Sequence, residues 1–375
     1  MHSVGFRFSI RNENKNANVF ISECKCYSAL VRSRHRSRKG APGIVEVALR
    51  AGVSPATVSR YFNSPDVVRL PTRQAIRKAA EELGYIRDRT AGAMHSRFSG
   101  TFGLVVPTIN HAIFSEMIEA FSNRLLVHDR TMLIASHNYD LQLELSIIRS
   151  LLERRIDAVA LVGHDHADAS IDMLKNRDVP VIALWGNQNS EELPFIGADN
   201  QLAAEMVTRH LIELGHRDIA FMFPDTTHND RARDRKAGAL QLMDNHQLSV
   251  PSKRLVDCPY DIASAKSIAR HLINNDKPTA IVCGNDIIAH GVIYAAQQCR
   301  LSLPSDLSVV GIGDFAGSAE ICPGLTTVRI PAKRIGQMAA DTLVAMSNDN
   351  DSRPFANQTV STELIIREST AATFL

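Results

Sequence analysis

Apolar and polar positions alternate along this chain with two different periods. Between Val45 and Leu83 the apolar residues recur at helical spacing in three short runs. Val47, Ala48 and Ala51 form the first, and Val58 and Tyr61 the second. Ile76, Ala79, Ala80 and Leu83 form the third. Gly52 supplies the left-handed turn after the first run. Ser54 is placed to cap a second helix beginning at Pro55. Pro71 falls in the first turn of the third helix and Gly84 ends it. From Thr101 the pattern changes to short strands, apolar on both faces, separated by amphipathic helices. Strands are expected over Phe102 to Pro107, Thr131 to Ser136, Asp157 to Val162, Val179 to Leu184, Asp218 to Phe223, Ala280 to Cys283 and Ser308 to Ile312. Strands of this kind belong to parallel sheets covered by helices on both sides. Seven or more such units make two α/β lobes, with a ligand site beyond the carboxyl ends of the strands.

The segment Val45 to Tyr61 has the form of a helix-turn-helix. The outward face of its second helix carries Ala56, Thr57, Ser59 and Arg60, which are small, hydroxylated or cationic. Such a face is slim enough for a DNA major groove, with donors for phosphates and one fork for a guanine edge. Charge sharpens this picture. Residues 1–99 hold 18 Lys+Arg against 7 Asp+Glu, or +11; the whole chain is +2, so the remainder is −9. A basic head on an acidic body suits a polyanion-binding module joined to another domain.

Composition adds bounds. At 375 residues, 45% hydrophobic and 22% charged, the chain has room for two or three ordinary domains. No apolar run approaches the ~20 residues of a membrane span. Met1 to Tyr27 has no uninterrupted apolar core, so no signal peptide is expected. Six scattered cysteines without zinc spacing read as reduced cytoplasmic thiols. His164 and His166 flank Asp165, but with no partner cluster this pair reads as surface and not as a metal site. There is no phosphate loop or triad context, so neither enzyme nor cofactor is expected.

Seven ordered segments give the chain, over residues 44–368, a resemblance to the LacI family of bacterial transcriptional repressors. AGVSPATVSRYFN matches the signature AGVS-xx-TVSR-xxN, and EELGYIRDRTA the segment LGY-xPN-xxA. FGLVVPTINHAIFSEMI looks like the first strand and helix of the family core. HLIELGHRDIAFM, GNDIIAHG, LPSDLSVVGIGDF and PGLTTVRIPAKRIGQMAADTL follow in family order. The resemblance implies an all-α helix-turn-helix head and a two-lobed, periplasmic-binding-protein-like type I core with parallel sheets. It also implies a homodimer whose affinity for pseudo-palindromic operator DNA is set by a small effector. The expected boundaries are a basic, disordered extension at 1–43, the head at 44–86, a hinge at 87–99 and the core at 100–368. Within the core, one lobe spans 100–198 and 329–347 and the other 199–328 and 348–368. Nothing after Arg367 resembles a heptad helix, so a dimer is expected and not a tetramer.

The resemblance also carries residue roles. Pro55, Ala56 and Arg60 fall at base-reading positions, and Ser54, Thr57, Ser59 and Asn63 at phosphate-positioning ones. Met94 stands where the family's hinge places an apolar minor-groove wedge. Arg87 replaces a usual proline, Gly92 weakens the hinge helix, and Arg69 stands where a capping serine is common. For the effector, Phe114, Asn138, Trp185, Arg235, Tyr260 and Asp286 are implied, with His111 and Asp314 as weaker candidates; Gly313 replaces an aspartate that often precedes Asp314. An Arg235–Asp286 pair has a plain structural alternative, an ion pair between elements, and Trp185 one as core. A sugar or sugar acid is the expected effector. A metabolite sensor, or a regulator needing a purine-type corepressor, is the alternative.

Overall fold

A computed structural model describes residues 42–87, 98–110, 112–187, 193–348 and 356–373. The basic extension, Met94 and His111 lie outside them. The chain divides into two compact units, Met1–Asp88 and Arg89–Leu375.

The head is three helices, α1 (Ile44–Ala51), α2 (Pro55–Asn63) and α3 (Leu70–Leu83). Gly52 and Gly84 take φ of 67° and 62° at the ends of α1 and α3, the left-handed geometry those turns demand. Val47, Ala48, Val58, Ile76 and Ala79 form the buried centre, closed by Tyr61, Phe62, Leu83 and Tyr85. So small a core leans on its edges. Arg50 donates through Nε and Nη2 to Glu82 Oε2, at 2.8 and 2.7 Å, joining α1 to α3.

The second unit begins with β1 (Thr101–Val106), α4 (Ala112–Val127), β2 (Thr131–Ser136), α5 (Leu141–Glu153), β3 (Ala158–Val162), α6 (Asp168–Lys175), β4 (Val181–Trp185) and β5 (Phe195–Ala198). It continues as α7 (Asn200–Glu213), β6 (Ile219–Phe223), α8 (Asp230–Asn245), β7 (Leu255–Asp257), α9 (Ile262–Asp276), β8 (Ala280–Cys283), α10 (Asp286–Gln298), β9 (Ser308–Gly313) and β10 (Thr326–Arg329). It closes with α11 (Ala332–Asn348), β11 (Gln358–Val360) and β12 (Glu363–Ile365). The first sheet has order β11-β5-β4-β3-β1-β2 and the second β12-β10-β9-β8-β6-β7. Every pairing is parallel except β10 with β12. The central strands β1, β3, β4, β6, β8 and β9 are almost wholly buried, as their two-faced apolar pattern requires, whereas β2 lies at an edge and is partly exposed. Short strands β7, β10, β11 and β12 lack that pattern, and they escaped the sequence reading together with β5, which is buried throughout.

The chain returns to the first lobe through α11, which packs on α4, β3, β4 and β5. Gly336 makes that helix crossing possible, because a Cβ there would lie 2.5 Å from Met117 O. The return lasts longer than the expected boundary at 347. β11 pairs with β5 of the first sheet, so the chain passes to the second lobe only between β11 and β12. After Ile365 the tail is stitched to the second lobe. Ser369 brackets β9, its carbonyl accepting from Val309 N at 2.8 Å and its Oγ donating to Val309 O at 2.6 Å, and His216 Nε2 faces Ala371 O at 3.0 Å.

Asp286 is the polar centre of the second lobe. Its carboxylate accepts from Thr327 Oγ1 at 2.6 Å, Ser318 Oγ at 2.7 Å and Asp314 N at 2.7 Å, tying α10 to β10 and to the loop after β9. Asp314 itself is held by Arg329 and Arg367, each at 2.7 Å. Burial pushes the Asp286 carboxyl up to about 6, against the pull of its three donors. A carboxyl raised by folding adds stability that is full below its unfolded value, near 4, and is lost as pH rises through about 6. Urea unfolding at pH 4.5 and pH 7.5 should therefore show an acid-favouring contribution of roughly 2 kcal/mol in the native protein that Asp286→Asn removes. An unchanged difference between the two pH values would place the group's titration elsewhere.

Candidate functional site

On the head, α2 shows one polar face. Ser54, Pro55, Ala56, Arg60 and Asn63 are exposed, and Thr57 and Ser59 are half-buried. Ser54 caps the helix: Thr57 N donates to Ser54 Oγ at 3.2 Å, and the two hydroxyls lie 2.9 Å apart. Asn63 Nδ2 donates to Ser59 Oγ at 3.3 Å. All seven residues expected to read bases or position phosphates thus share one helix and its cap.

Arg87 was overlooked except as a departure from the family pattern. Its Nη1 donates to Phe62 O at 2.7 Å and its Nη2 to Asn63 Oδ1. A guanidinium therefore occupies the negative end of α2, where a cation is favoured by the helix dipole and satisfies a carbonyl the helix leaves open. Phe62 is also gripped by aromatic contacts with Tyr61 and Tyr85, at centroid distances of 4.9 and 5.6 Å. Both ends of α2 are fixed, which presents its outer face in one orientation.

In the second unit a narrow cavity lies beyond the carboxyl ends of the strands. Phe114, Tyr139, Trp185, Arg231, Arg235, Tyr260 and Asn285 line it. Phe114 comes from α4 and Trp185 from the last position of β4; their rings meet edge to face at 5.3 Å. Trp185 has φ of 80°, a conformation rare for a bulky residue and most often kept where a site requires it. The expected residues Phe114, Trp185, Arg235 and Tyr260 come together here. Asn138 does not: it is exposed, with φ of 50° in the turn after β2, and its neighbour Tyr139 takes the place at the cavity. Asp286 does not either. Its oxygens are occupied inside the second lobe, and Asn285, the N-cap of α10, supplies the lining atom. Asp314 is likewise consumed by Arg329 and Arg367.

The two lobes meet around this cavity through the start of α8. Asp230 Oδ2 accepts from His164 N at 2.9 Å, and Arg233 grips Asp165 with two bonds of 2.7 and 3.0 Å. Arg231 donates to Asp230 Oδ1 at 2.6 Å and also engages Tyr139. Gly163 permits this approach. With φ of +98° it already lies in glycine territory, and a Cβ would stand 1.9 Å from Arg231 Nη1. Deeper in, Arg235 Nε donates to Asn200 Oδ1 at 2.8 Å and its Nη1 to Gly284 O at 2.9 Å. Asn200 Nδ2 returns the link to the first lobe through Trp185 O and Ala198 O, at 3.0 and 3.2 Å.

The two histidines read as surface are interior. His166 Nδ1 faces Glu144 Oε2 at 2.9 Å and its Nε2 faces Gly163 O at 3.0 Å, so the ring braces the loop that meets α8. Both ring nitrogens of His137 and of His164 are buried without a hydrogen-bond partner, and burial holds both imidazoles below the ordinary histidine range. No group of three or more ligating side chains that could hold a metal occurs among the described residues. The sequence misled because HDH carries no sign of the Glu144 that it packs against. Arg231 was missed for a similar reason: the charge-dense run NDRARDR looks like a solvated helix face, yet Asn229 to Ala232 and Arg235 are buried; no local signal marks Tyr139 or Asn285.

Comparison with known proteins agrees with both parts. Residues 43–88 match the family model described as bacterial regulatory proteins, lacI family, and residues 208–370 that of a periplasmic binding protein-like domain. The chain is 30% identical over 305 residues to the HTH-type transcriptional repressor PurR of Proteus mirabilis, covering 80% of this chain and 89% of that protein. It is 31% identical over 337 residues to the HTH-type transcriptional regulator MalR of Streptomyces coelicolor, covering 88% and 96%. The lac repressor dimer bound to operator and the anti-inducer ONPF superposes with a TM-score of 0.77 at 25% identity, over 88% of this chain and 99% of that one. Helix-turn-helix head, two-lobed core and relatives that span nearly the whole length place this chain in the LacI family of bacterial transcriptional regulators.

Proposed function

We propose that this protein is a cytoplasmic, homodimeric transcriptional repressor whose operator affinity is set by a small polar metabolite, a sugar or sugar acid, held between the lobes. The observation that carries this reading is the pairing of two sites in one chain. One is a capped helix with an outward arginine, and the other is a cavity of aromatic rings and guanidinium groups at the meeting of two lobes. In the DNA complex Arg60 grips a guanine edge through two donors. Pro55 and Ala56 offer only apolar contact, as to thymine methyls. Ser54, Thr57, Ser59 and Asn63 settle on phosphates, fixing register without reading sequence. Met94 serves as the hinge wedge. The lac repressor neighbour is described as a dimer on its operator and the Proteus relative as a repressor, which supports the same partners here. The relatives are regulators and not enzymes, which supports a non-catalytic role.

Control follows from where the core takes up the linker. Asp157 accepts from Ser99 N and Gly100 N, at 2.7 Å each, so the chain enters the first lobe at a fixed point beside β3. The loop after β3 carries Gly163, His164 and Asp165, which meet α8 of the second lobe. An effector that changes how the lobes close changes the position of that entry point. Its leverage is the difference in its affinity for the two arrangements, about 1–3 kcal/mol in typical systems.

Two outcomes test this. In fluorescence anisotropy on duplexes tiling the gene's upstream region at about 150 mM salt, one near-palindromic tile should bind tightly. Arg60→Ala should lose about 10-fold or more there while binding other tiles almost unchanged; equal binding of all tiles would sink the recognition-helix assignment. Gly163→Ala should prevent full closure. The emission of Trp185, the single tryptophan, should then shift to the red and cease to respond to effector, while operator binding in the open arrangement persists. An unchanged emission spectrum would show that closure does not need the glycine.

A further inference from the structure

The reading of the cavity as an effector site leaves open what chemistry the effector carries, and the charges around the cavity narrow it. Two guanidinium groups line it, from Arg231 and Arg235, and both side chains are nearly fully buried. Among the described residues no aspartate or glutamate lines it. Arg231 has one carboxylate partner, Asp230, and that carboxylate is shared with His164 N. Among the described residues Arg235 hydrogen-bonds to neutral oxygens, Asn200 Oδ1 and Gly284 O. Asp286, next in sequence to the lining Asn285, is turned into the second lobe, with three donors already on its oxygens. Apart from Asn285 the remaining walls are aromatic, which keeps water away and strengthens any charge–charge contact made there. Burying a guanidinium among neutral acceptors is costly, and such a group is normally matched by an anion. The desolvation it suffers also holds Arg235 below the ordinary arginine range.

From this surplus we infer that the effector is an anion, and that its oxyanion group, a carboxylate or phosphoryl, docks on Arg231 and Arg235. The planar forks of two arginines suit the paired oxygens of either group, whereas a neutral sugar leaves Arg235 with no anionic hydrogen-bond acceptor, Asp286 reaching it only at longer range. Trp185, Phe114 and the two tyrosines then face the uncharged remainder of the molecule. Arg231 selects for charge, and its pairing with Asp230 makes that selection dependent on the same contact that joins the lobes.

Trp185 provides a local readout, because the chain has no other tryptophan and this one lines the cavity. The full-length protein would be titrated with sodium phosphate and separately with sodium acetate, ionic strength held constant, while its emission is followed. D-ribose and D-glucose serve as uncharged controls. The expected result is a saturable change with at least one oxyanion at millimolar concentration, and which of the two is tighter separates phosphoryl from carboxylate. In Arg231→Gln that affinity should fall at least 10-fold, and Arg231→Lys should recover part of it. Arg235→Gln is read only where its thermal unfolding remains cooperative; the Arg231 pair keeps the test decisive where it does not. A flat response to both oxyanions overturns the proposal. So does a response that survives Arg231→Gln undiminished, which would mean an adventitious ion only. If the sugars alone saturate, the cavity is an effector site for a neutral ligand and the anion assignment fails while the regulatory reading stands. Loss of the regulatory reading would show separately, as operator binding indifferent to Arg60→Ala.

Discussion

The core is organised around the problem of burying Arg235. A guanidinium taken out of water must have acceptors, and here they come from two directions. Gly284 O belongs to the second lobe, and Asn200 sits at the first residue of the helix by which the chain leaves the first lobe. Asn200 spends its two amide hydrogens on Trp185 O and Ala198 O, the ends of two neighbouring strands in the first sheet. One arginine and one amide thus fasten the crossing point to both sheets. Any lobe motion must pivot near them, since separating the pair would leave buried polar groups unpaired.

The outer ring of contacts is of another kind. Asp230, itself buried, accepts from the His164 backbone, and Arg233 meets Asp165 at the partly exposed edge. The Arg233–Asp165 pair is partly exposed, so water can replace either partner at small cost. Pivot contacts that are expensive to break and rim contacts that are cheap to break are what a hinged cleft requires. The cavity lies between the two sets, so a ligand there acts on the part of the structure that is free to move.

The head solves a smaller version of the same problem. Five buried side chains cannot by themselves hold a recognition helix in one pose. Its ends are therefore fixed by polar groups, Ser54 at the start and Arg87 at the finish. Arg87 lies at the edge of the linker in sequence and at the end of α2 in space. A residue that departs from the family's usual proline has thereby acquired a position where its charge and its donors are both used.

Much of this was legible before any coordinates. Local order is dictated by local residues: Gly52, Ser54 and Pro55 define the turn and the helix start, and two-faced apolar runs define central parallel strands, because such runs have no other way to be buried. Periodicity therefore located Thr131 to Ser136 and Ala280 to Cys283 without error, and the family resemblance named Phe114, Trp185, Arg235 and Tyr260, which line one cavity. What the sequence left undecided depends on partners distant in the chain. Asp286 and Asn285 are adjacent letters, yet one is sealed inside the second lobe by Thr327 and Ser318 and the other lines the cavity, because helix α10 turns its first residues through about 100° each. His166 looks like a surface residue until Glu144, 22 positions earlier, is packed against it. The short strand β11 belongs to the first sheet only because β5 offers it an edge. Secondary structure is decided by neighbours in sequence, and charge pairing, burial and sheet membership by neighbours in space; only the tertiary fold specifies the second set.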